Sequence, residues 1–404
     1  MATSTNTAPR RVLTFPDRVP ADWGPAKIHL YYGDTSFPLQ DASGEVELRQ
    51  GDTIGLTITD HAPGQAAGLL GSLPAGAFRR IDIDSGTVAS ADLAAINAAY
   101  IRSVTLGVEA PNRGTPGTPA DMLETGVDLS PLERLTSFTA HDVLLEDRHI
   151  ASLPSPRTIY DLHLRGTTVG AGSLRRFSLL RSLHLEGESH GTNLGFLDAI
   201  PGLASFDIRF SRITADALAV VSRHPSLWAL GVGYNDGIGS DLSRLTGPES
   251  LRYLDLSGTS LDTEGLRTLP ITAQLLVLSL QTTRVTDDFV DVVRSARNLQ
   301  QLRIGGTAIT DRGLALIVEA FPRLKSLDVR ATSVTAEGMR RCAELPRLRV
   351  LGATGSVLSG ELADDLKEGT DIQELHICEP GSIDEGATEA IDIIGAARWV
   401  GIPG

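Results

Sequence analysis

The chain has little cysteine, few aromatic residues and no long apolar run. Its 404 residues include two cysteines, Cys342 and Cys378, and aromatic residues make up 5%. Two cysteines in a chain of this length exclude a disulfide-rich scaffold. No stretch approaches the roughly 20 apolar residues of a membrane span, and the first residues contain no apolar segment of the kind a secretory signal needs. These absences predict a cytoplasmic protein without a membrane partner.

Positive charge is also in short supply, because 36 Lys and Arg residues face 50 Asp and Glu residues, for a formal net charge of −14. Nucleic acids and anionic membranes are usually bound by basic surfaces, so we expect neither as a partner. The sequence contains no H-E-x-x-H, no C-x-x-C pair and no G-x-x-x-x-G-K-[ST], which are motifs of metal sites and phosphate-binding loops. We therefore predict no cofactor, no bound metal and no catalytic residue.

What the chain does contain is a repeat of close to 24 residues, with steps between 21 and 25. The fourth and sixth positions of most copies are aliphatic, as Leu254 and Leu256 or Leu278 and Leu280 show. Alternation of this kind indicates a strand with one buried face. One copy cannot bury its own strand and helix, whereas stacked copies bury both. The copies begin at Leu135, Ile159, Leu180, Leu203, Leu227, Leu251, Leu275, Leu299, Leu324, Leu348 and Ile372.

The ninth position carries a short polar side chain in most copies, which can hydrogen-bond the backbone where the strand turns away. An aliphatic residue and a helix start follow, and we predict helix N-caps at Thr214, Thr286, Thr310 and Thr335. The ninth-position residues are Thr167, Ser211, Asn235, Thr259, Thr283, Thr307, Thr332 and Ser356.

On these residues the sequence resembles a leucine-rich repeat protein, most strongly over residues 159–351. Its T-x-x-G-L segments, with Gly265, Gly313 and Gly338, resemble the ribonuclease-inhibitor-like class of that family. The resemblance implies an α/β solenoid shaped as a curved horseshoe. A parallel β-sheet would form the concave face, and helices would form the convex face.

We divide the chain into four parts. Residues 1–50 are predicted to form an N-terminal cap and the first irregular copies, with the segment 11–32 starting the sheet. Residues 51–134 hold degenerate repeats and a Pro- and Gly-rich insertion at 107–126. Residues 135–382 are the regular repeats. Residues 383–404 are predicted to form a C-terminal cap, as a final helix in which Trp399 covers the core.

The candidate site is predicted from the outward-facing positions of the predicted strands. Side chains alternate along a strand, so the third, fifth and seventh positions of each repeat should point away from the core. Between two charged regions, Gly231 and Gly233 predict a nearly bare strip that a partner could approach closely. The candidate partner-binding residues are His163, Arg165, His184, Glu186, Asp207, Arg209, Tyr253, Asp255, Arg303, Asp328 and Arg330.

These features predict a protein-protein interaction module that binds a protein or peptide through its concave face. Two alternatives stay open. One is an enzyme or metal-dependent binder using His163, His184 and Asp207, with Glu186 or Asp161 as another source of a third ligand, because two histidines and a carboxylate can bind zinc or iron. Three ligands in a straight row, however, span too far for one ion unless they bend toward a neighbouring column. The other alternative is an inhibitor or immunity-type protein whose acidic surface masks a basic partner.

Overall fold

The computed structural model describes residues 11–15, 26–32, 35–41, 44–48, 53–59, 62–107, 120–154, 156–188, 193–239, 241–245, 250–269, 271–354, 357–378 and 398–402. The chain divides into two compact units, residues 1–190 and 191–404, called here the N-terminal unit and the C-terminal unit. The division falls within the predicted regular repeats, 135–382. Most of the predicted insertion, residues 108–119, lies outside the described residues.

The N-terminal unit is built on strands that run parallel from β5 onward. Strand β2 pairs antiparallel with both β3 and β5, so the segment 11–32 does contribute to the start of the sheet, whereas β1 pairs with β4 in a separate two-stranded ribbon. The strands are β1 (Arg11–Phe15), β2 (Ala26–Tyr32), β3 (Thr35–Asp41), β4 (Gly44–Leu48), β5 (Thr53–Ile58), β6 (Arg80–Ile83), β7 (Ser103–Leu106), β8 (Ser137–His141), β9 (Asp161–Arg165) and β10 (Ser182–Glu186).

In the C-terminal unit every described strand pairs in parallel with the next one along the chain. Equivalent repeat positions lie opposite each other, as with Leu278, Leu302 and Leu327. The strands are β11 (Ser205–Arg209), β12 (Ala229–Gly231), β13 (Tyr253–Asp255), β14 (Val277–Ser279), β15 (Gln301–Arg303), β16 (Ser326–Asp328), β17 (Val350–Thr354), β18 (Glu374–Cys378) and β19 (Arg398–Ile402).

Fourth- and sixth-position side chains form the core of these repeats, since Leu302 and Ile304 are both fully buried. Helices following the strands pack against the same core, and Leu314 and Ile317 of α6 are fully buried too. The predicted architecture of parallel strands and covering helices is therefore confirmed. The α-helices are α1 (Gln65–Gly71), α2 (Ser90–Ala98), α3 (Asp147–Ser152), α4 (Thr263–Arg267), α5 (Phe289–Val293), α6 (Asp311–Ala320), α7 (Ala336–Met339) and α8 (Gly360–Gly369).

The predicted helix starts are right at three positions out of four. Thr310 and Thr335 are the N-caps of α6 and α7, and Thr214 is the N-cap of a short 3₁₀ helix, Ala215–Ala219. The prediction for Thr286 is wrong, because α5 begins later and its N-cap is Asp288. A second 3₁₀ helix, Val221–Arg223, follows Ala215–Ala219 in the same copy, and another, Arg340–Glu344, follows α7. Two further copies use 3₁₀ helices, at Ala171–Arg176 and Leu194–Ala199.

Most ninth-position side chains bond the backbone at the strand end as predicted, whereas the buried hydroxyl of Thr167 has no hydrogen-bond partner among the described residues. In three successive repeats the threonine hydroxyl donates a 2.6 Å hydrogen bond to the sixth-position carbonyl, from Thr259 to Leu256, from Thr283 to Leu280 and from Thr307 to Ile304. These threonines are at most 7% exposed. Each hydroxyl therefore satisfies a carbonyl that water cannot reach. Ser356 lies outside the described residues.

The eighth position has a left-handed backbone in every regular repeat where it is described, with φ between 51° and 125°. Glycine adopts this conformation without strain, whereas a residue with a side chain is strained there. The chain must turn sharply here to leave the sheet, which explains the shared conformation. The residues are Asp142, Gly166 and Gly187 in the N-terminal unit, and Phe210, Tyr234, Gly258, Thr282, Gly306 and Ala331 in the C-terminal unit.

The C-terminal segment differs from its prediction. Residues Arg398–Ile402 form strand β19, in which Trp399 lies opposite Leu375 of β18, so the predicted final helix is wrong for these residues. An open sheet edge presents unpaired backbone groups that another strand can satisfy, and this short segment of aromatic and β-branched residues is suited to that role. The rest of the predicted cap, residues 383–397, lies outside the described residues.

Candidate partner-binding site

The candidate residues of the N-terminal unit form one cluster on strands β9 and β10. His163 lies opposite His184, with ring centroids 3.9 Å apart, and the ring of His141 approaches His163 to 4.7 Å. Arg165 Nε lies 3.5 Å from Glu186 Oε1. The other oxygen of Glu186, Oε2, lies 3.5 Å from His184 Nε2. The sequence therefore placed these side chains together correctly.

Burial separates the members of this cluster. Arg165 and Glu186 are 5% and 6% exposed, whereas a quarter of the His184 side chain reaches solvent. An oppositely charged pair that is covered in this way needs its partner, because each charge alone would be poorly solvated. Arg165 and Glu186 are thus placed to support the histidine row rather than to form the surface.

The metal hypothesis joined His163 and His184 to Asp207, with Glu186 or Asp161 as another source of a third ligand. The two histidines belong to the N-terminal unit, and Asp207 belongs to the C-terminal unit. Among the described residues, no group of three or more His, Cys, Asp and Glu side chains is arranged to hold a metal ion.

In the C-terminal unit, Arg209 is the centre of a charge network that we call the first Asp-Arg cluster, formed with Asp207 and Asp255. Arg209 Nε and Nη2 donate to Asp207 Oδ1 and Oδ2, both at 2.9 Å. Nη2 also donates to Asp255 Oδ2 at 3.0 Å. Burial opposes the charge on Arg209, but the two carboxylates outweigh it and raise the pKa of the guanidinium above its ordinary value. Bidentate pairs of this kind are strong and hold their geometry.

Gly231 allows this cluster to exist. It lies between Asp207 on β11 and Asp255 on β13, and a Cβ atom at Gly231 would come within 2.6 Å of Asp207 Oδ2. The predicted bare strip is therefore wrong in this part, because neighbouring side chains lean over the glycine and join across it. The glycine serves the protein's own side chains here.

Tyr253 lies at the start of β13, beside the same carboxylates. Burial, together with the charges on Asp255 and Asp207, raises the pKa of Tyr253 to about 12. The phenol therefore stays protonated, and can donate a hydrogen bond, throughout the physiological pH range.

A second Asp-Arg cluster lies further along the sheet and consists of Asp328, Arg330 and Gln281. Asp328 Oδ1 accepts from Arg330 Nε at 2.9 Å and from the Arg330 backbone N–H at 3.1 Å. Asp328 Oδ2 accepts from Arg330 Nη2 at 2.6 Å and from Gln281 Nε2 at 3.0 Å. A carboxylate offers about four acceptor sites, so the acceptor capacity of Asp328 is filled. As in the first cluster, a glycine follows on the next strand, where a Cβ at Gly352 would lie 2.5 Å from Asp328 Oδ1.

Arg303 lies directly opposite Asp328 in the strand register, yet no ion pair joins them. Its partner is the side-chain amide of Gln301, whose Oε1 is oriented to accept from Nη2 at 2.6 Å and from Nε at 2.9 Å. Within the described part of the chain, no carboxylate lies within ion-pair distance of this guanidinium. Arg303 is half-buried, so its charge is incompletely compensated.

A cavity of about 420 Å³ opens on the strand face around Arg303 and the second cluster. Its far wall carries His376, whose Nε2 lies 3.4 Å from Glu374 Oε2. Glycine at position 352 leaves the middle of the cavity without a side chain of its own. The lining residues are Gln281, Gln301, Arg303, Ser326, Leu327, Asp328, Arg330, Val350, Gly352, Glu374 and His376.

Sequence reasoning placed Arg303, Asp328 and Arg330 here but did not select Gln281, Gln301, Gly352, Glu374 or His376 as site residues. These five occupy the same outward positions of neighbouring repeats, so the repeat register carried the necessary signal. The overlooked signal was a glycine on the next strand, directly opposite the Asp of an Asp-x-Arg segment. This arrangement occurs at Gly231, opposite Asp207, and at Gly352, opposite Asp328.

Three further features bear on chemistry. Cys342 is a fully buried free thiol, and burial raises its pKa to about 12, which fits the predicted packing role. The side chain of Cys378 lies outside the described residues. The segment 187–191 reads G-E-S-H-G, which matches the G-x-S-x-G pattern of hydrolase nucleophiles. Ser189 also lies outside the described residues.

Comparison with known proteins agrees with this geometry. A family model described as Leucine Rich repeat matches residues 248–269 and 295–318, which contain strands β13 and β15. The chain therefore contains leucine-rich repeats, and its parallel strands and covering helices are the architecture of that fold. No curated protein matches the sequence.

Two solved structures are similar at low sequence identity. One is an internalin (inlF) from Listeria monocytogenes, with 16% identity, a TM-score of 0.48, and coverage of 76% of this chain and 93% of that chain. The other is TLR13 in a complex with ssRNA13, with 14% identity, a TM-score of 0.43, and coverage of 80% of this chain and 52% of that chain. Among the described residues, no helix has the length and apolar character to cross a bilayer.

Proposed function

We propose that the protein is an interaction module that binds a protein or peptide on the strand face of its C-terminal unit, at the cavity beside Arg303. The observation that carries this proposal is the convergence of polar side chains from four repeats, within a run of five neighbouring ones, on one cavity of about 420 Å³. A volume of this size is within the range of ligand pockets and accommodates one or two side chains of a partner.

The cavity walls are held in place before any partner arrives. Asp328 fixes Arg330 and Gln281, and Gln301 fixes Arg303, through the hydrogen bonds described above. Side chains that are already ordered lose little conformational entropy on binding, which favours affinity. Tyr253 would extend the contact surface toward β11, with the first Asp-Arg cluster beside it serving as its rigid support.

A protein partner is favoured over a nucleic acid by charge. The chain carries a net charge of −14, and the cavity lining contains two arginines, one aspartate and one glutamate. Phosphate backbones are bound by a marked excess of Lys and Arg. The structure of TLR13 with ssRNA13 concerns that protein, and an RNA control belongs in the binding experiment.

We also propose that the repeats are of the ribonuclease-inhibitor-like class and that the protein is cytoplasmic. The α-helices that follow β13 to β17 support the first proposal, and the cysteine content supports the second. Cell fractionation followed by immunoblotting of the soluble, membrane and secreted fractions tests the location.

Site-specific photocrosslinking tests the binding surface. A slim diazirine-bearing aliphatic amino acid, small enough to leave the cavity open, would replace Ser326, which lines the cavity, or Glu337, which lies on α7 of the same repeat with its side chain 86% exposed. In native-host cells we expect the position-326 variant to form a discrete adduct that resists nuclease and is lost with protease. Adducts from position 337 alone, or a nuclease-sensitive adduct from position 326, would refute the proposal.

A further inference from the structure

We infer that Arg303 is the anchor for a carboxylate of the bound partner, either an acidic side chain or a peptide C-terminus. This inference rests on the proposed function and specifies the chemistry that the cavity recognises. It begins from the difference between the two arginines of the cavity. Arg330 is held by the Asp328 carboxylate, whereas Arg303 is held by the neutral amide of Gln301.

The protein itself cannot easily supply the missing charge. Asp328 is the register neighbour of Arg303 on β16, but its four hydrogen bonds already fill its acceptor capacity. On the other side the register neighbour is Ser279 of β14, which is neutral. A carboxylate arriving from outside would therefore meet a cation that the fold has positioned and left uncompensated.

Arg303 also keeps the donors that such a partner needs. A guanidinium has five N–H groups. In Arg303, one N–H on Nε and one on Nη2 donate to the side-chain oxygen of Gln301. The others form no further hydrogen bond within the described part of the chain. Arginine pairs with carboxylates through two parallel N–H···O bonds, which gives both strength and orientation.

The charge of the cavity favours a monoanion over a phosphate. The Asp328 and Glu374 carboxylates also line the cavity, so a dianion at Arg303 would be repelled by two nearby negative charges. A single carboxylate at Arg303 would meet less repulsion from these two groups than a dianion. A half-buried cation without a counter-ion is incompletely solvated, so pairing it on binding recovers free energy that the free protein lacks.

The test uses two random peptide libraries displayed on phage and selected on the full-length protein. One library presents free C-termini and the other presents internal segments, so that the two sources of a carboxylate are distinguished. Synthetic peptides of the selected sequences are then measured against the wild type, Arg303→Gln and the helix-side control Arg312→Gln. A Ser326→Trp variant fills the cavity and reports which peptides bind there, with Glu337→Trp as its control.

We expect the cavity-binding peptides to share an Asp, a Glu or a free C-terminus at a fixed position. Replacing that carboxylate by its amide should weaken binding to the wild type by about 10- to 100-fold. The same replacement should change binding to Arg303→Gln by less than about twofold, because the coupling partner is already missing. Arg312→Gln should bind like the wild type.

Two other results separate the failures. The inference would be overturned, and the proposed function would stand, if the peptides that require the open cavity shared no carboxylate. The same conclusion would follow if those peptides bound Arg303→Gln as tightly as the wild type. Peptides that bind Ser326→Trp as well as the wild type, or libraries that yield no enriched sequence, would count against both. Unchanged melting of every variant ensures that lost binding is not lost folding.

Discussion

The two Asp-Arg clusters of the C-terminal unit are built from the same short pattern but end in different states. Both begin with Asp-x-Arg on one strand and continue with a glycine on the next. In the first cluster, Arg209 reaches over Gly231 to a second carboxylate, Asp255. In the second cluster, the additional partner is Gln281, which donates to Asp328 and adds no charge.

This difference separates a structural network from a binding site. The first cluster surrounds its one cation with two carboxylates, so an added anion would find no free positive charge there. The second fills its carboxylate with donors, and the neighbouring Arg303 is left with a neutral partner beside an open cavity. The two sites differ in one carboxylate: Asp255 adds a second negative charge to Arg209, whereas Arg303 has only the neutral amide of Gln301.

The largest expected effect comes from removing the central cation of the first cluster. Arg209→Ala would leave Asp207 and Asp255 facing each other without compensation, and Asp255 is 5% exposed. Breaking a covered ion pair in this way should lower the free energy of unfolding by about 3 kcal/mol. Arg303→Ala removes no carboxylate partner and should change it by less than about 0.5 kcal/mol. Urea unfolding followed by circular dichroism compares the two variants, and equal losses would erase the distinction between Arg209, which is held by carboxylates, and Arg303, which is held by a neutral amide.

The next effect concerns the glycines. An alanine Cβ at 231 or 352 would lie 2.6 or 2.5 Å from an oxygen of the neighbouring aspartate, so the carboxylate must move and loosen its arginine. We expect each substitution to destabilise the protein by about 1 to 2 kcal/mol. Gly239→Ala is the control, since its Cβ would meet nothing closer than 3.7 Å. If all three variants unfolded at the same urea concentration, the glycines would not be what permits the clusters.

A smaller loss of stability is expected when the ninth-position threonines of the repeats are replaced. Thr283→Val and Thr307→Val keep the shape of the side chain but remove hydrogen bonds to Leu280 and Ile304. Each should lower the free energy of unfolding by about 1 kcal/mol, because a covered carbonyl loses its donor. The exposed Ser333→Ala is the matched control. Melting temperatures that do not change in either valine variant would contradict the observed strand endings.

The smallest effect is spectroscopic. Tyr253 should titrate near pH 12, above the ordinary value of 10.0. Because its pKa is higher in the folded state, its contribution to stability is constant below about pH 10 and falls as the pH rises toward 12. Absorbance titration of the wild type minus Tyr253→Phe should show this late phenol, and Asp255→Asn should shift its pKa downward. A difference titration with its midpoint at pH 10 would mean that Tyr253 is not held beside these carboxylates.

Much of the fold could be predicted because repeat periodicity fixes which side chains are buried. The strand register, the aliphatic core and the threonine column all follow from one spacing. The segment 398–402 could not be predicted in this way, because it lies beyond the last recognisable copy and its strand depends on the open edge of β18. The helix predicted to start after Thr286 begins only at Phe289, and its N-cap residue Asp288 already has helical backbone angles and makes no side-chain capping bond.

The site was predictable in position but not in connectivity. The alternation of side chains placed Asp207, Arg209, Asp328 and Arg330 on the strand face. It could not reveal that Arg209 would choose a partner two strands away, because that depends on side-chain reach over a glycine. It also could not reveal that Gln281 and Arg330 would fill the acceptor sites of Asp328, so that Arg303 has no carboxylate partner among the described residues.

The most direct measurement is the adduct yield from the slim diazirine amino acid at position 326 in three backgrounds: wild type, Arg303→Gln and Arg312→Gln. We expect a discrete protein adduct in the wild type, its loss in Arg303→Gln, and full yield in Arg312→Gln, with the same melting temperature in all three. An adduct that persists undiminished in Arg303→Gln would show that the cation beside the cavity does not hold the partner. An adduct absent from all three backgrounds, with one formed from position 337, would place the binding surface on the helices.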